Sequence, residues 1–199
     1  MSMQDVCKSQ FILASASPRR RDLLRKAGYC FESVPSEVDE SAFETEGVTA
    51  EEHTKVLALA KASDIAARFP NAVVLGADTV VDLDGDIIGK PEDAAHAEEI
   101  TRKLFGKPHS VITGLALVCL EKRIEIVEAD TTMVYPRKLT DGQIAAHIRK
   151  GDWRGKAGAY GIQETGDEFV RRIDGSFTNV MGLPMELARR LLGELDIYA

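Results

Sequence analysis

An apolar tetrapeptide that runs almost directly into three consecutive arginines constrains this chain more than any other feature. Phe11-Ile12-Leu13-Ala14 reads as a short buried strand, and Ser17 then stands where a helix N-cap belongs. Pro18 takes the first helical position and Gly28 lies past the end, the usual punctuation of a short helix. Leu23, Leu24 and Ala27 give that helix one apolar face. Its first turn holds Arg19, Arg20 and Arg21. Cations at a helix N-terminus oppose the macrodipole, at roughly 0.3–1 kcal/mol each when exposed. Free N–H groups, a serine hydroxyl and guanidinium forks together suit an anion, phosphate above all. A solvated basic turn is the competing reading.

The whole chain is acidic, with a net charge of −7 over 199 residues, so an anion site must be a local pocket and not a broad nucleic-acid surface. No apolar run is long enough to cross a membrane, and nothing near Gln4, Asp5 and Lys8 resembles the core of a signal peptide. Cys7, Cys30 and Cys119 are odd in number and lack metal-ligand spacing, so they read as free thiols and the expected compartment is the cytoplasm. The length suits one domain over 1–199, with residues 1–9 as a flexible N-terminal extension.

Helices and strands alternate in the first half. Phe31 to Val34 suggests a second strand, and the acidic Glu37-Val38-Asp39-Glu40 follows it. Thr49 and Glu52 form a capping-box pattern for a helix ending near Phe69. Ala72 to Val81 is a strongly apolar strand, Asp84-Gly85 a hairpin signal before Ile87-Ile88, and Ala94 to Phe105 a third helix. The second half leans towards strands. Ser110 to Leu120 and Arg123 to Tyr135 make a long hairpin, Thr140 and Gln143 cap a helix ending near Gly151, Phe169 to Ile173 forms a strand, and a last helix begins near Pro184. The mix predicts an α/β fold with a mixed twisted sheet flanked by helices, and a deep cleft between two lobes.

Asp78 carries the clearest chemical signal. It sits within Val73-Val74-Leu75-Gly76-Ala77-Asp78-Thr79-Val80-Val81, and a carboxylate in such a run is costly to bury without a cation or a metal. It reads as a metal ligand or a general base facing the cleft, against the alternative of a strand-end loop cap. If the acidic segment is extended, Glu37 and Asp39 share one side and Glu40 takes the other; a solvated loop competes with a carboxylate that completes an Mg²⁺ site with Asp78. Lys61 lies among Ala58, Leu59, Ala60 and Ala62, and Lys90 sits in the stiff Gly89-Lys90-Pro91. Either could neutralise a polyphosphate, although lysines on such faces usually snorkel to solvent. Gln163 offers the donor and acceptor that base recognition needs. His109 and His147 read as ordinary surface or interface residues. No Walker A or G-x-G-x-x-G pattern follows the first strand, which takes most of the support from kinase and dehydrogenase readings.

Leu13-Ala14-Ser15-Ala16-Ser17-Pro18-Arg19-Arg20, Gly76-Ala77-Asp78-Thr79, Gly89-Lys90-Pro91, Lys156-Ala157-Gly158-Ala159-Tyr160-Gly161-Ile162-Gln163 and Gly182-Leu183-Pro184 together resemble the Maf family of nucleotide pyrophosphatases, in motif order and over about residues 10 to 197. The resemblance implies a Maf/ITPase-like fold and an often dimeric house-cleaning hydrolase. Such an enzyme uses a divalent cation (Mg²⁺ or Mn²⁺) to split a nucleoside triphosphate into monophosphate and pyrophosphate. By position, Ser17, Arg19 and Arg20 match its phosphate motif, Asp78 its proposed proton acceptor, Asp39 an acidic metal-side position, and Lys61 and Lys90 its phosphate-binding lysines. Arg20, Thr79 and Gln163 fall where the dTTP/UTP subgroup differs from the 7-methyl-GTP subgroup, and Gly161-Ile162-Gln163 looks like the former. Gly151-Asp152-Trp153-Arg154-Gly155 departs from the acidic-proline approach of many relatives and puts Trp153 near the cleft rim. Three other readings stand beside this one: a nucleotide-binding regulator of cell division with little turnover, a 7-methyl-GTP-type pyrophosphatase, and a phosphosugar phosphatase releasing orthophosphate.

Overall fold

β3 (Val74–Leu83) organises the molecule because two different partners share one of its edges. In the computed structural model, which describes residues 11–43, 45–161 and 169–199, β1 (Phe11–Ala14) lies parallel to the start of β3, with Ala14 opposite Gly76. β4 (Asp86–Ile88) lies antiparallel to its end, with Val81 opposite Ile88. Between these pairings, residues 77–80 of β3 have no strand neighbour on that side among the described residues. The other edge is paired from Val74 to Asp82 with β5 (His109–Cys119), which continues into a long hairpin with β6 (Ile124–Pro136). β2 (Phe31–Ser33) and β7 (Val170–Asp174) complete a seven-stranded mixed sheet of order β2-β1-β3-β5-β6-β7, with β4 off this path.

Both faces are covered by helices. On one face α2 (Ala50–Arg68) packs Ala58, Ala62, Ile65 and Ala66 onto Ile12, Val74, Ala116 and Val118. On the other, α6 (Met185–Gly193) packs Ala188, Leu191 and Leu192 onto Leu13, Leu75, Leu115 and Leu117. β1 is buried at all four residues, as expected for a strand with parallel neighbours on both sides and helices above and below. A further core around Val81, Val111 and Val134 is closed by Leu104 of α3 (Ala94–Leu104), Trp153 and Tyr160. α1 (Pro18–Lys26), α4 (Asp141–Lys150) and the single turn α5 (Phe177–Val180) complete the helices.

Two glycines set how closely α2 lies on the sheet. A Cβ on Gly76 would stand 2.2 Å from the Ala58 carbonyl oxygen, and one on Gly114 2.4 Å from that of Thr54. Gly114 is the β5 partner of Asp78, so the two glycines bracket that carboxylate beneath the helix.

Both expected capping boxes form, Thr49 with Glu52 and Thr140 with Gln143. His109 and His147, read from sequence as surface or interface residues, are buried within the chain itself. His109 bonds the Tyr160 hydroxyl at 2.6 Å, and His147 the Ala159 carbonyl at 2.8 Å. Trp153 is also buried, donating Nε1–H to the Ile148 carbonyl, because helix α4 ends in a left-handed Gly151 that folds the chain back over its own last turn. Cys119 is a buried free thiol, whereas Cys30 is disulfide-bonded, so the expectation of free thiols fails at Cys30. Among the described residues, no helix is long and apolar enough to cross a membrane.

Candidate functional site

The unpaired stretch of β3 opens into a cleft of about 430 Å³, within the range of small-molecule sites. An open sheet edge exposes side chains from both faces of one strand, so Asp78 and Thr79, which point to opposite faces, line the same cavity. The turn after β1 forms one rim with Ser15, Ser17 and Arg19, the segment after β4 contributes Lys90, and residues 154–157 and 180–182 close the remainder. Six basic side chains (Arg19, Arg20, Lys61, Lys90, Arg154, Lys156) and two acidic ones (Glu40, Asp78) line the cleft, a concentration of positive charge in a chain of net charge −7.

On the α2 side, four charges alternate. The Lys61 ammonium lies 2.6 Å from Asp78 Oδ1 and 2.8 Å from Glu40 Oε1, and Lys90 lies 2.9 Å from Glu40 Oε2. Asp78 and Lys61 are 4 % and 7 % exposed, so neither could be buried without the other. Burial works to raise the Glu40 carboxyl, but hydrogen bonds and attraction from Lys61 and Lys90 overcome it and hold it at about 2.

The acidic segment is where sequence and structure part. Asp39 does not face the cleft: it accepts from the Ser41 N–H and hydroxyl, capping a 3-10 turn over Glu40–Ala42. That turn takes the place of the extended alternative and puts Glu40 on the cleft. Glu40, not Asp39, therefore shares Lys61 with Asp78.

Arg20 also behaves differently from a simple phosphate clamp. Its Nε donates to the Gly182 carbonyl (2.7 Å), Nη1 to the Ala77 carbonyl (2.9 Å) and Ser15 Oγ (3.3 Å), and Nη2 to Thr79 Oγ1 (3.0 Å). Ala77 lies in the strandless stretch of β3, so the guanidinium supplies a donor that a neighbouring strand would have given. Burial lowers the Arg20 pKa, and Asp78 opposes that shift. Arg19 makes long bonds to the Met181 and Gly155 carbonyls, at 3.4 Å each, which leaves it freer to turn to an anion. Ser17 is the extended N-cap of α1, and its hydroxyl caps no N–H of the helix.

Thus Ser17, Arg19, Arg20, Lys61, Asp78, Thr79 and Lys90 come together around one cavity. Gln163 lies outside the described residues. Sequence reasoning missed Ser15 and Thr113, and it named Glu40 only as one of three acidic candidates, of which the resemblance singled out Asp39. Ser15 is buried, accepting from both the Ser17 N–H and Arg20. Thr113 meets Thr79 across the β3–β5 pairing.

Glu40 and Asp78 bring two carboxylates to one ammonium. A divalent cation such as Mg²⁺ takes one or two carboxylates, with water and substrate phosphate filling its remaining positions. Among the described residues, no cluster of three or more His, Cys, Asp or Glu forms a closed cage. The donor set fits an ion that arrives with a polyphosphate.

A family model described as Maf-like protein matches residues 10–195. A "dTTP/UTP pyrophosphatase" of Ruminiclostridium cellulolyticum is 40% identical over 185 residues, covering 93% of this chain and 95% of the relative. Proteins of the same description from Geotalea uraniireducens (47% over 178 residues) and Citrifermentans bemidjiense (45% over 177) each cover 89% of this chain and 91% of their own. Among solved structures, the Staphylococcus aureus Ham1 protein superposes with a TM-score of 0.46 at 15% identity, covering 92% of this chain and 89% of that one.

Proposed function

This chain belongs to the Maf family, and from that premise we propose that it hydrolyses dTTP and UTP to the nucleoside monophosphate and pyrophosphate. The observation that carries the reading is the run Asp78–Lys61–Glu40–Lys90, set at a break in the sheet edge beside the N-terminus of α1. A triphosphate needs cations along its length and a carboxylate at the phosphorus under attack, and this run offers both.

In this scheme the β- and γ-phosphates meet Arg19, Lys90 and the open N-terminal turn of α1 at Ser17. Lys61 engages Oδ1 of Asp78 and leaves Oδ2 to take a proton from the attacking water. Attack at the α-phosphorus forms the new P–O bond and breaks the bond to the β-phosphate bridging oxygen. Pyrophosphate leaves with its charge balanced by Arg19, Lys61 and Lys90. Glu40 and Asp78 are the residues that would hold a divalent cation, which supplies charge neutralisation at the phosphates when bound. Arg20 keeps the cleft open at the Ala77 carbonyl and presents Thr79 to the nucleotide. We place the activity in the cytoplasm, where nucleoside triphosphates are made and consumed.

The test is a panel of dTTP, UTP, CTP and 7-methyl-GTP with Mg²⁺ or Mn²⁺, scored separately for pyrophosphate and orthophosphate. Pyrophosphate from dTTP and UTP, lost in Asp78→Asn, is the expected result. Pyrophosphate from 7-methyl-GTP alone would keep the chemistry and overturn the substrate. Tight nucleotide binding with no product would sink the enzymatic reading altogether.

A further inference from the structure

The cleft has two unlike walls. Asp78 and its ion pairs lie on the α2 side, whereas Thr79 shares the opposite side with Val81, Val111, Tyr160 and Met181. If the triphosphate takes the charged wall, as proposed above, the base falls to the neutral one. Two hydroxyls stand there: that of Tyr160 is bound to His109 Nε2, whereas that of Thr79 is shared between Arg20 and Thr113, so the direction of the Thr79 hydrogen matters.

We infer that Thr113, which lines no part of the cleft, is a positioning residue that fixes the polarity of Thr79 towards the base. Thr113 is fully buried on β5, directly opposite Thr79, and the two hydroxyl oxygens are 2.9 Å apart. Thr113 also donates to the Asn179 carbonyl at 3.3 Å, and Thr79 accepts from Arg20 Nη2 at 3.0 Å. Each hydroxyl has a single hydrogen, a guanidinium can only donate and a carbonyl can only accept. Thr79 also stands 3.4 Å from the Gly182 carbonyl, but the Thr113 oxygen is the shorter acceptor at 2.9 Å, and on that contact the bonds run one way: Arg20 to Thr79, Thr79 to Thr113, Thr113 to the Asn179 carbonyl. With its hydrogen turned inward, Thr79 offers the cleft one lone pair and no donor. Uracil and thymine present a ring N–H at N3 that such an acceptor can receive, whereas N3 of cytosine carries no hydrogen. The spare hydrogen of Arg20 Nη2 stands beside that lone pair, suited to a carbonyl flanking N3.

Without the Thr113 hydroxyl, the hydrogen of Thr79 is free to turn to the cleft, and the distinction between an N–H and a bare ring nitrogen fades. The inference rests on the proposed function, and the experiment separates the two. Steady-state kinetics with UTP and CTP are measured for wild type, Thr113→Val, Thr113→Ser, Thr79→Val and the Thr79→Val/Thr113→Val double variant, with melting temperatures alongside. Thr113→Val keeps the side-chain volume, and the Asn179 carbonyl retains the Gly182 N–H, so the variant is expected to fold. Its kcat/KM ratio of UTP to CTP should fall about fivefold, the weight of one neutral hydrogen bond, mainly through KM for UTP. Thr113→Ser should restore the ratio. In the Thr79→Val background, removing the Thr113 hydroxyl should leave the ratio unmoved, because the pair then acts as one unit.

A Thr113→Val variant with an unchanged ratio overturns the inference, including one in which both substrates lose equally, as a purely structural role would give. So does a wild type that shows no preference between UTP and CTP, which corresponds to Thr79 donating instead to the Gly182 carbonyl, 3.4 Å away. A wild type that releases no pyrophosphate from either nucleotide overturns the proposed function and this inference together.

Discussion

The two walls of the cleft are built from neighbouring residues of one strand by opposite means. The wall of Asp78 is made of side-chain charges, with Asp78, Lys61, Glu40 and Lys90 holding one another through ion pairs. The wall of Thr79 is made of hydroxyls and backbone carbonyls, organised around one arginine that bonds Gly182, Ala77, Ser15 and Thr79. Charges act over distance and tolerate a ligand entering among them, as a polyphosphate must. A hydrogen-bonded array is directional and suits the reading of a base edge. A break in strand pairing, which elsewhere would leave backbone groups unsatisfied, lets a single strand serve both purposes.

The comparison breaks most visibly at Asp78. Asp78→Asn keeps the shape and removes the proton acceptor, and we expect kcat to fall about 10³-fold with KM for the nucleotide changed little. Steady-state kinetics with dTTP checks it. Equal losses in kcat and affinity would make Asp78 a binding residue and erase the division of labour between it and the cations.

Next in size is the backbone support of the charged wall. Gly76→Ala would place a Cβ 2.2 Å from the Ala58 carbonyl oxygen, so α2 must shift and carry Lys61 with it. Overpacking of this kind costs about 3 kcal/mol. Thermal or denaturant unfolding should show that loss, with activity reduced even at temperatures where the variant is fully folded.

How far each wall was legible in the sequence follows from where its determinants lie. Asp78 was visible because an acid in an apolar strand demands a partner, and Lys61 because it sits among alanines on one helix face. The phosphate rim at Ser17 and Arg19 was visible because strand, cap and cations are contiguous. Arg20 was found for its charge, but its bonding to carbonyls at residues 77 and 182 is made by the fold. The Thr79–Thr113 pair was invisible because its register joins residues 34 apart, and periodicity says nothing of register. For residues 37–40 the loop alternative holds and the extended one does not, because Asp39 bonds the backbone two residues on, a local alternative to extended structure that short acidic side chains often take.

That local turn gives the third test. Glu40→Gln should lower kcat/KM for dTTP about tenfold, since it removes a charge shared by Lys61 and Lys90. Asp39→Asn, one residue away and facing solvent, should change it less than about twofold. Reversed magnitudes would return the cleft carboxylate to Asp39.

The smallest effect separates the walls by pH. Behind the neutral wall, His109 is 2 % exposed, and burial lowers its pKa, opposed by its bond to the Lys107 carbonyl. That carbonyl requires a hydrogen on Nδ1, so Nε2 is the acceptor for the Tyr160 hydroxyl. As pH falls through the ordinary histidine value of about 6.5, the unfolded chain takes up a proton that the folded chain refuses, and stability declines. Glu40 has the opposite origin but the same sign. Its folded value of about 2 lies below an unfolded value of roughly 4.3, so its contribution is complete above that and is lost as pH falls towards 2. Between pH 7 and 5 Glu40 is silent and His109 is not. Denaturant unfolding of wild type and His109→Gln at pH 7, 6 and 5 should therefore show a shallower decline in the variant. Glu40→Gln should run parallel to wild type over the same interval and diverge below about pH 4. If Glu40→Gln altered the slope between pH 7 and 5, Glu40 would not be the strongly paired acid its neighbours make it, and the charged wall would lose its central member.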